Sequence, residues 1–290
     1  MFATRAQPVA SVVSSNIQTR SMGTLREIQI RLNAIKSTGK VTKSMKMIAS
    51  SKVPKAQKAM ETARVYGASS ARIFENTKTV PAEGSQDVFI VSSSDRGLCG
   101  GIHSSVAKAA RRQLEAAPAA SQQVIVLGDK SKTQMSRSHK ENITLSFNQI
   151  GKSIPTFAEA SAVAETIKAS NVKFDNAVIL YNSFTSVIAY EATPLTTFST
   201  DSLKAAEGFT AYEVDDEILE NYNEFLFANN VYWSLVEGHA SEMSAKRTAM
   251  ENATKNAGEM VDRLTMIYNR SRQAAITSEL VDIITGASAL

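Results

Sequence analysis

The chain has 290 residues, 43% hydrophobic and 21% charged, with a formal net charge of +4 and one cysteine. That is enough chain for one to three domains and a sizeable core. Cys99 alone rules out an intrachain disulfide or a cysteine-based zinc site, His103, His139 and His239 lack metal-ligand spacing, and no run of about 18 apolar residues marks a membrane-spanning helix.

Residues 1–23 read as a mitochondrial transit peptide. The first 26 residues hold Arg5, Arg20, Arg26 and four serines, and no acid occurs before Glu27.

Residues 24–78 read as a coiled-coil helix. Leu25, Ile28, Leu32 and Ile35 follow the 3–4 spacing of a helical seam. Gly39 interrupts it, and Thr42, Met45 and Ala49 resume it. Pro54 is expected to kink or break the helix, after which Ala56, Ala59, Met60, Ala63 and Tyr66 continue the stripe. From 24 to 72 there are eleven Lys or Arg and two acids, a net of +9, whereas residues 1–23 add +2 and the rest carries −7. The basic character therefore belongs to one segment.

Residues 79–208 change period and read as an α/β domain. After a linker at 79–86, short apolar runs at 87–94, 123–128, 143–147, 174–184 and 186–198 predict strands. Helical patterns at 101–116 and 155–169 alternate with them. The fold class is α/β: a Rossmann-like domain between N- and C-terminal helices that pair as a long antiparallel coiled coil.

Residues 209–290 form the second arm, helical from Asp216 to Gly286. Asp215, Asp216 and Glu217 suit its N-terminal dipole. Met243, Met250, Ala257 and Leu264 recur every seven residues, as do Ala253, Met260 and Ile267. Both sets are expected in the seam, with Lys246, Ser271 and Ser278 as polar members and Gly286 as the stop. This helix is longer than its mate by roughly 30–60 Å at the standard rise. Its last turns, apolar at Ile276, Leu280, Ile283 and Ile284, therefore lack a partner within the chain, and an apolar helix end calls for an external cover.

Motifs for chemistry are sparse. "SDRGLCGG" (94–101) follows a strand and opens a helix, where phosphate loops sit. It matches neither G-x-G-x-x-G nor G-x-x-x-x-G-K-[ST], and reads better as a tight turn. No G-x-S-x-G elbow occurs. Cys99 reads as a packing residue before a reactive thiol. The basic run from Lys36 to Lys58 lacks interleaved aromatics.

Three separated stretches, "IQIRLNAIKSTGKVTKSMKMIASSK" (28–52), "SSSDRGLCGGIH" (92–103) and "NRSRQAAITSELVDIITGASAL" (269–290), resemble the gamma subunit family of the rotary ATP synthase. The last carries I-T-x-E-x-x-D-x-x-x-G-A-x-A at Ile276, Thr277, Glu279, Asp282, Gly286, Ala287 and Ala289. The resemblance implies a central stalk, one copy per complex, on the matrix side of the mitochondrial inner membrane. Its partners would be the alpha and beta subunits of the catalytic hexamer, the small stalk subunits delta and epsilon, and the ring of c subunits. It implies no cofactor, no nucleic acid and no catalytic residue. By the same match, Arg272 and Gln273 would touch a beta-subunit loop, and Lys40, Lys43 and Met45 would face acidic levers. Ile276, Glu279, Leu280 and Ile283 would lie in the sleeve. Chloroplast relatives insert a cysteine pair that this chain lacks. The residues alone leave two other readings open: a nucleotide-binding enzyme with helical arms, and a basic coiled-coil adaptor for nucleic acid or membrane.

Overall fold

The computed structural model describes residues 24–80, 86–118, 122–170, 172 and 174–289. The expected transit peptide and most of the expected linker lie outside them. Two helices dominate: α1 (Leu25–Thr77, 53 residues) and α6 (Asp216–Ser288, 73 residues), about 80 Å and about 110 Å long at 1.5 Å per residue. Between them come β1 (Asp87–Ser92), α2 (Ile102–Ala116), β2 (Gln123–Leu127), α3 (Asp129–Met135), β3 (Ile143–Phe147), α4 (Phe157–Ala169), β4 (Asn176–Phe184), β5 (Tyr190–Thr197) and α5 (Thr200–Lys204), followed by a 3-10 turn at Glu207–Ala211.

The chain divides into two compact units, Thr38–Ala257 and the two ends (described at 24–37 and 258–289). In Thr38–Ala257 the strands form one sheet in the order β3-β2-β1-β4-β5. The first four are parallel, and β5 returns antiparallel to β4. Alternate residues of β1 serve opposite cores, as the period of two requires. Val88 and Ile90 join Ile125, Leu127 and Ile179 beneath Val163 and Ile167 of α4 and Val231 and Leu235 of α6. Phe89 and Val91 join Val124, Val126 and Leu180 beneath Val106, Ala110 and Leu114 of α2. Covered on both faces, β1 and β2 have the near-continuous apolar sequence of interior parallel strands. Helix α4 opens with a capping box: Thr156 and Glu159 each accept from the other's backbone N–H.

The two long helices pair antiparallel. Val53, Ala56, Met60 and Ala63 meet Val236, Ala240 and Met243. Further along, Lys46 pairs with Glu251 at 2.8 Å, and Thr254 donates to Thr42 at 3.0 Å. Six expectations are corrected here. Helix α1 runs through Pro54: the proline is exposed, and buried Val53 and Ala56 anchor both sides of it. Gly39 belongs to the seam, where an added Cβ would lie 3.4 Å from that of Ala257. The stripe turns from Ala63 to Gly67, whereas Tyr66 is exposed, because the Trp233 ring needs the space a side chain would take. In α6, Thr254, Val261 and Tyr268 flank the Met250–Ala257–Leu264 row, leaving Met260 and Ile267 exposed. Finally, Ser278 is exposed and α6 continues past Gly286.

Candidate functional site

In the unit built from 24–37 and 258–289, α1 turns Leu25, Ile28, Leu32 and Ile35 inward, and Leu32 is 8% exposed. Helix α6 answers with half-buried Val261, Leu264, Thr265, Tyr268, Ser271 and Ala275. The stripe then ends. Every described residue from Ile276 onward is exposed. Ile276, Leu280, Val281, Ile283 and Ile284 stand 49–67% open. The hydroxyls nearby offer little to water. Thr277 donates to Gln273 O at 2.9 Å, Thr285 to Val281 O at 2.8 Å and Ser288 to Thr285 O at 3.0 Å, so these three hydroxyls spend their protons on the helix's own backbone. Arg272, Gln273 and Glu279 are exposed on this same stretch. Arg272, Ile276, Glu279 and Ile283 follow the 3–4 spacing of one helical face.

The basic segment divides differently. Lys40 and Lys43 are exposed, whereas Met45 is half-buried. Met45 lines a groove of about 820 Å³ together with Ile48, Leu98 and Met243. Five cations line it too: Lys52, Lys55, Arg96, Lys152 and Lys246. Among the described residues, no carboxylate lines it. Arg96, Leu98, Lys152 and Lys246 were not legible as one site, since they come from three separate parts of the chain.

Arg96 and Leu98 are held out by the 94–101 turn. Arg96 N donates to Ser94 Oγ at 3.2 Å, Asp129 N donates to Asp95 Oδ1 at 2.8 Å, and His103 Nε2 lies 3.0 Å from Arg96 O. That contact puts the proton of the neutral imidazole on Nε2; burial lowers the pKa of His103. Leu98 takes φ +64 and is 59% exposed. A left-handed conformation is unusual for a bulky residue and marks a turn held by its surroundings. Cys99 beneath it is buried, and burial pushes its thiol up to about 11, so it is a packing residue.

At the carboxyl end of β1, where doubly wound sheets hold ligands, α6 fills the space. Glu242 and His239 of α6 face Ser94, His103 and Asn182 across a cavity of about 20 Å³, room for about one water and none for a nucleotide. Among the described residues no cluster of His, Cys, Asp or Glu is placed to hold a metal ion, and no helix is long and apolar enough to cross a membrane.

Comparison with known proteins supplies the remaining observation. The ATP synthase family profile matches residues 24–290. The chain is 44% identical to the mitochondrial ATP synthase subunit gamma of Yarrowia lipolytica, with all of both chains covered. It is 43% identical to the mitochondrial ATP synthase F(1) complex subunit gamma of Rattus norvegicus, over 92% of this chain and 99% of that one. Among solved structures, one from the central stalk and c-ring of the Tetrahymena thermophila mitochondrial ATP synthase superposes with a TM-score of 0.63 at 25% identity, covering 73% of this chain and 99% of that one. A chain of the Euglena gracilis enzyme shares the fold, with a TM-score of 0.74 over 92% of this chain and 94% of that one.

Proposed function

The chain belongs to the gamma subunit family of the mitochondrial ATP synthase, and from that premise we propose how its two exposed surfaces work in a central stalk. The chain is the rotor shaft, on the matrix side of the inner membrane. It couples turning of the membrane ring to changes in the catalytic subunits and performs no chemistry itself. The single observation that carries this reading is the bare hydrocarbon end of α6 from Ile276 to Ile284. A sleeve formed by the alpha and beta subunits encloses it.

Apolar contact is non-directional. Ile276, Leu280 and Ile283 can therefore slide past changing neighbours at nearly constant energy, as a bearing must. Arg272 and Gln273 are directional by contrast. They serve as an angle-dependent latch, because a charge-assisted hydrogen bond is strong only in one geometry. Lys40, Lys43 and the Met45 groove present cations to acidic segments of the beta subunits. Differential contact with an asymmetric shaft biases each catalytic subunit toward a different conformation.

The test is a complex carrying Arg272→Ala with Gln273→Ala, assayed for ATP synthesis driven by a proton gradient and for single-molecule rotation. Reduced synthesis with assembly intact is expected. Unchanged synthesis and rotation refute the latch. Recovery of the chain without alpha and beta subunits, when it is purified under native conditions, refutes the shaft itself.

A further inference from the structure

A second groove, of about 700 Å³, lies between α4 and the first turns of α6. Burial grades it from bottom to rim. Ala164, Ala177 and Ala228 are its buried floor, and half-buried Phe174, Phe198 and Phe227 are its walls. Phe157 and Phe225 stand at the mouth, 38% and 37% exposed, with ring centres 5.9 Å apart. Five exposed carboxylates line the opening: Glu165, Asp175, Asp201, Glu220 and Glu224. Among the described residues, Lys168 is the one lining cation, and it pairs with Glu224.

The residues that line this groove do not overlap those of the exposed helix end or the basic groove. Its charge is opposite to that of α1. Small floor residues leave depth for one large side chain, and aromatic walls give that side chain apolar contact while their ring faces attract cations. The carboxylates come from α4, α5, α6 and the approach to β4. Spread over four segments of the chain, they complement a polypeptide carrying several cations.

We propose that this groove docks a basic polypeptide segment of a partner, with one large apolar side chain seated on the alanine floor and Lys or Arg side chains paired to the acidic rim. Complementary charge of this kind fixes register and speeds encounter. The inference is independent of the shaft reading and would stand if the latch failed.

The experiment uses the assembled complex with Phe225 replaced by the photo-crosslinking analogue benzoylphenylalanine. After irradiation, the attached peptide is sequenced by mass spectrometry. The expected adduct is one partner segment with an excess of Lys and Arg around a large apolar residue. Its yield should fall about tenfold on adding Asp201→Lys with Glu220→Lys, the electrostatic part of the recognition being removed. An adduct to an acidic or neutral segment, to lipid or to a second copy of this chain overturns the proposal, as does an intact complex that gives no adduct. Should the lysine variant fail to assemble, the identity of the adduct in the unaltered background decides. A labelled synthetic peptide of alternating Lys and Leu, titrated onto the full chain, gives a second reading. Binding at least about tenfold tighter than its Glu-Leu counterpart supports the proposal, and equal binding contradicts it.

Discussion

Glu237 is 1% exposed, yet it meets four donors. Oε1 accepts from Arg64 at 2.5 Å, Ser183 Oγ at 2.8 Å and Phe184 N at 3.1 Å, and Oε2 accepts from Trp233 Nε1 at 2.6 Å. One carboxylate thus joins α1, α6 and β4. Glu237→Leu should lower unfolding stability by about 3 kcal/mol, since it takes the shared acceptor from four half-buried donors, and Glu237→Gln by less; denaturant melts of the two variants check the order. The second prediction concerns pH. Burial lowers His239 from 6.5 to about 4. The unfolded chain therefore takes up its proton first as pH falls, and stability present above about 6.5 is lost between there and about 4. Glu242 in the same cavity is raised by burial, which has the opposite sign: its cost is felt above the ordinary carboxylate pKa and is relieved as pH falls. His239→Asn should flatten the loss of Tm between pH 7 and pH 5, and a parallel shift with no change of slope would contradict this. The contacts that join Glu237 to other elements were not legible in sequence, because Arg64 and Glu237 are 173 residues apart and no local pattern joins them.

At the level of elements, periodicity located both long helices and the apolar runs of the sheet, because burial on one stripe or on both faces writes itself into residue order. It did not choose the flank of the α6 seam. Rows offset by three and by four from Met250 are both near neighbours on a helix, and the more apolar one, Ala253–Met260–Ile267, proved the more exposed, whereas Thr254 is held by its bond to Thr42. Helices α3 and α5, of seven and five residues, are too short to show a helical period. Gly39 offers a test with two signs. Gly39→Ala should be neutral or stabilising by up to about 1 kcal/mol, since helix propensity improves and its Cβ meets Ala257 at 3.4 Å. Gly39→Leu should destabilise by about 1–3 kcal/mol through overpacking. Thermal melts of the full chain compare them; a leucine variant as stable as the alanine one would show that the seam yields there.

For the molecule as a whole, the bare helix end was legible from the apolar spacing after Ser271, and the basic groove was not. The end is a local sequence pattern, whereas the groove is assembled by the fold from distant lysines, Arg96 and an exposed Leu98. The central claim is that residues 276–289 turn inside a socket made by neighbouring subunits. Hydrogen exchange of that stretch, compared between the isolated chain and the assembled complex, tests it most directly. Exchange slowed by about a hundredfold or more on assembly is the predicted result, because an enclosed helix end opens far less often than a fraying one. Equal exchange in the two states would contradict it.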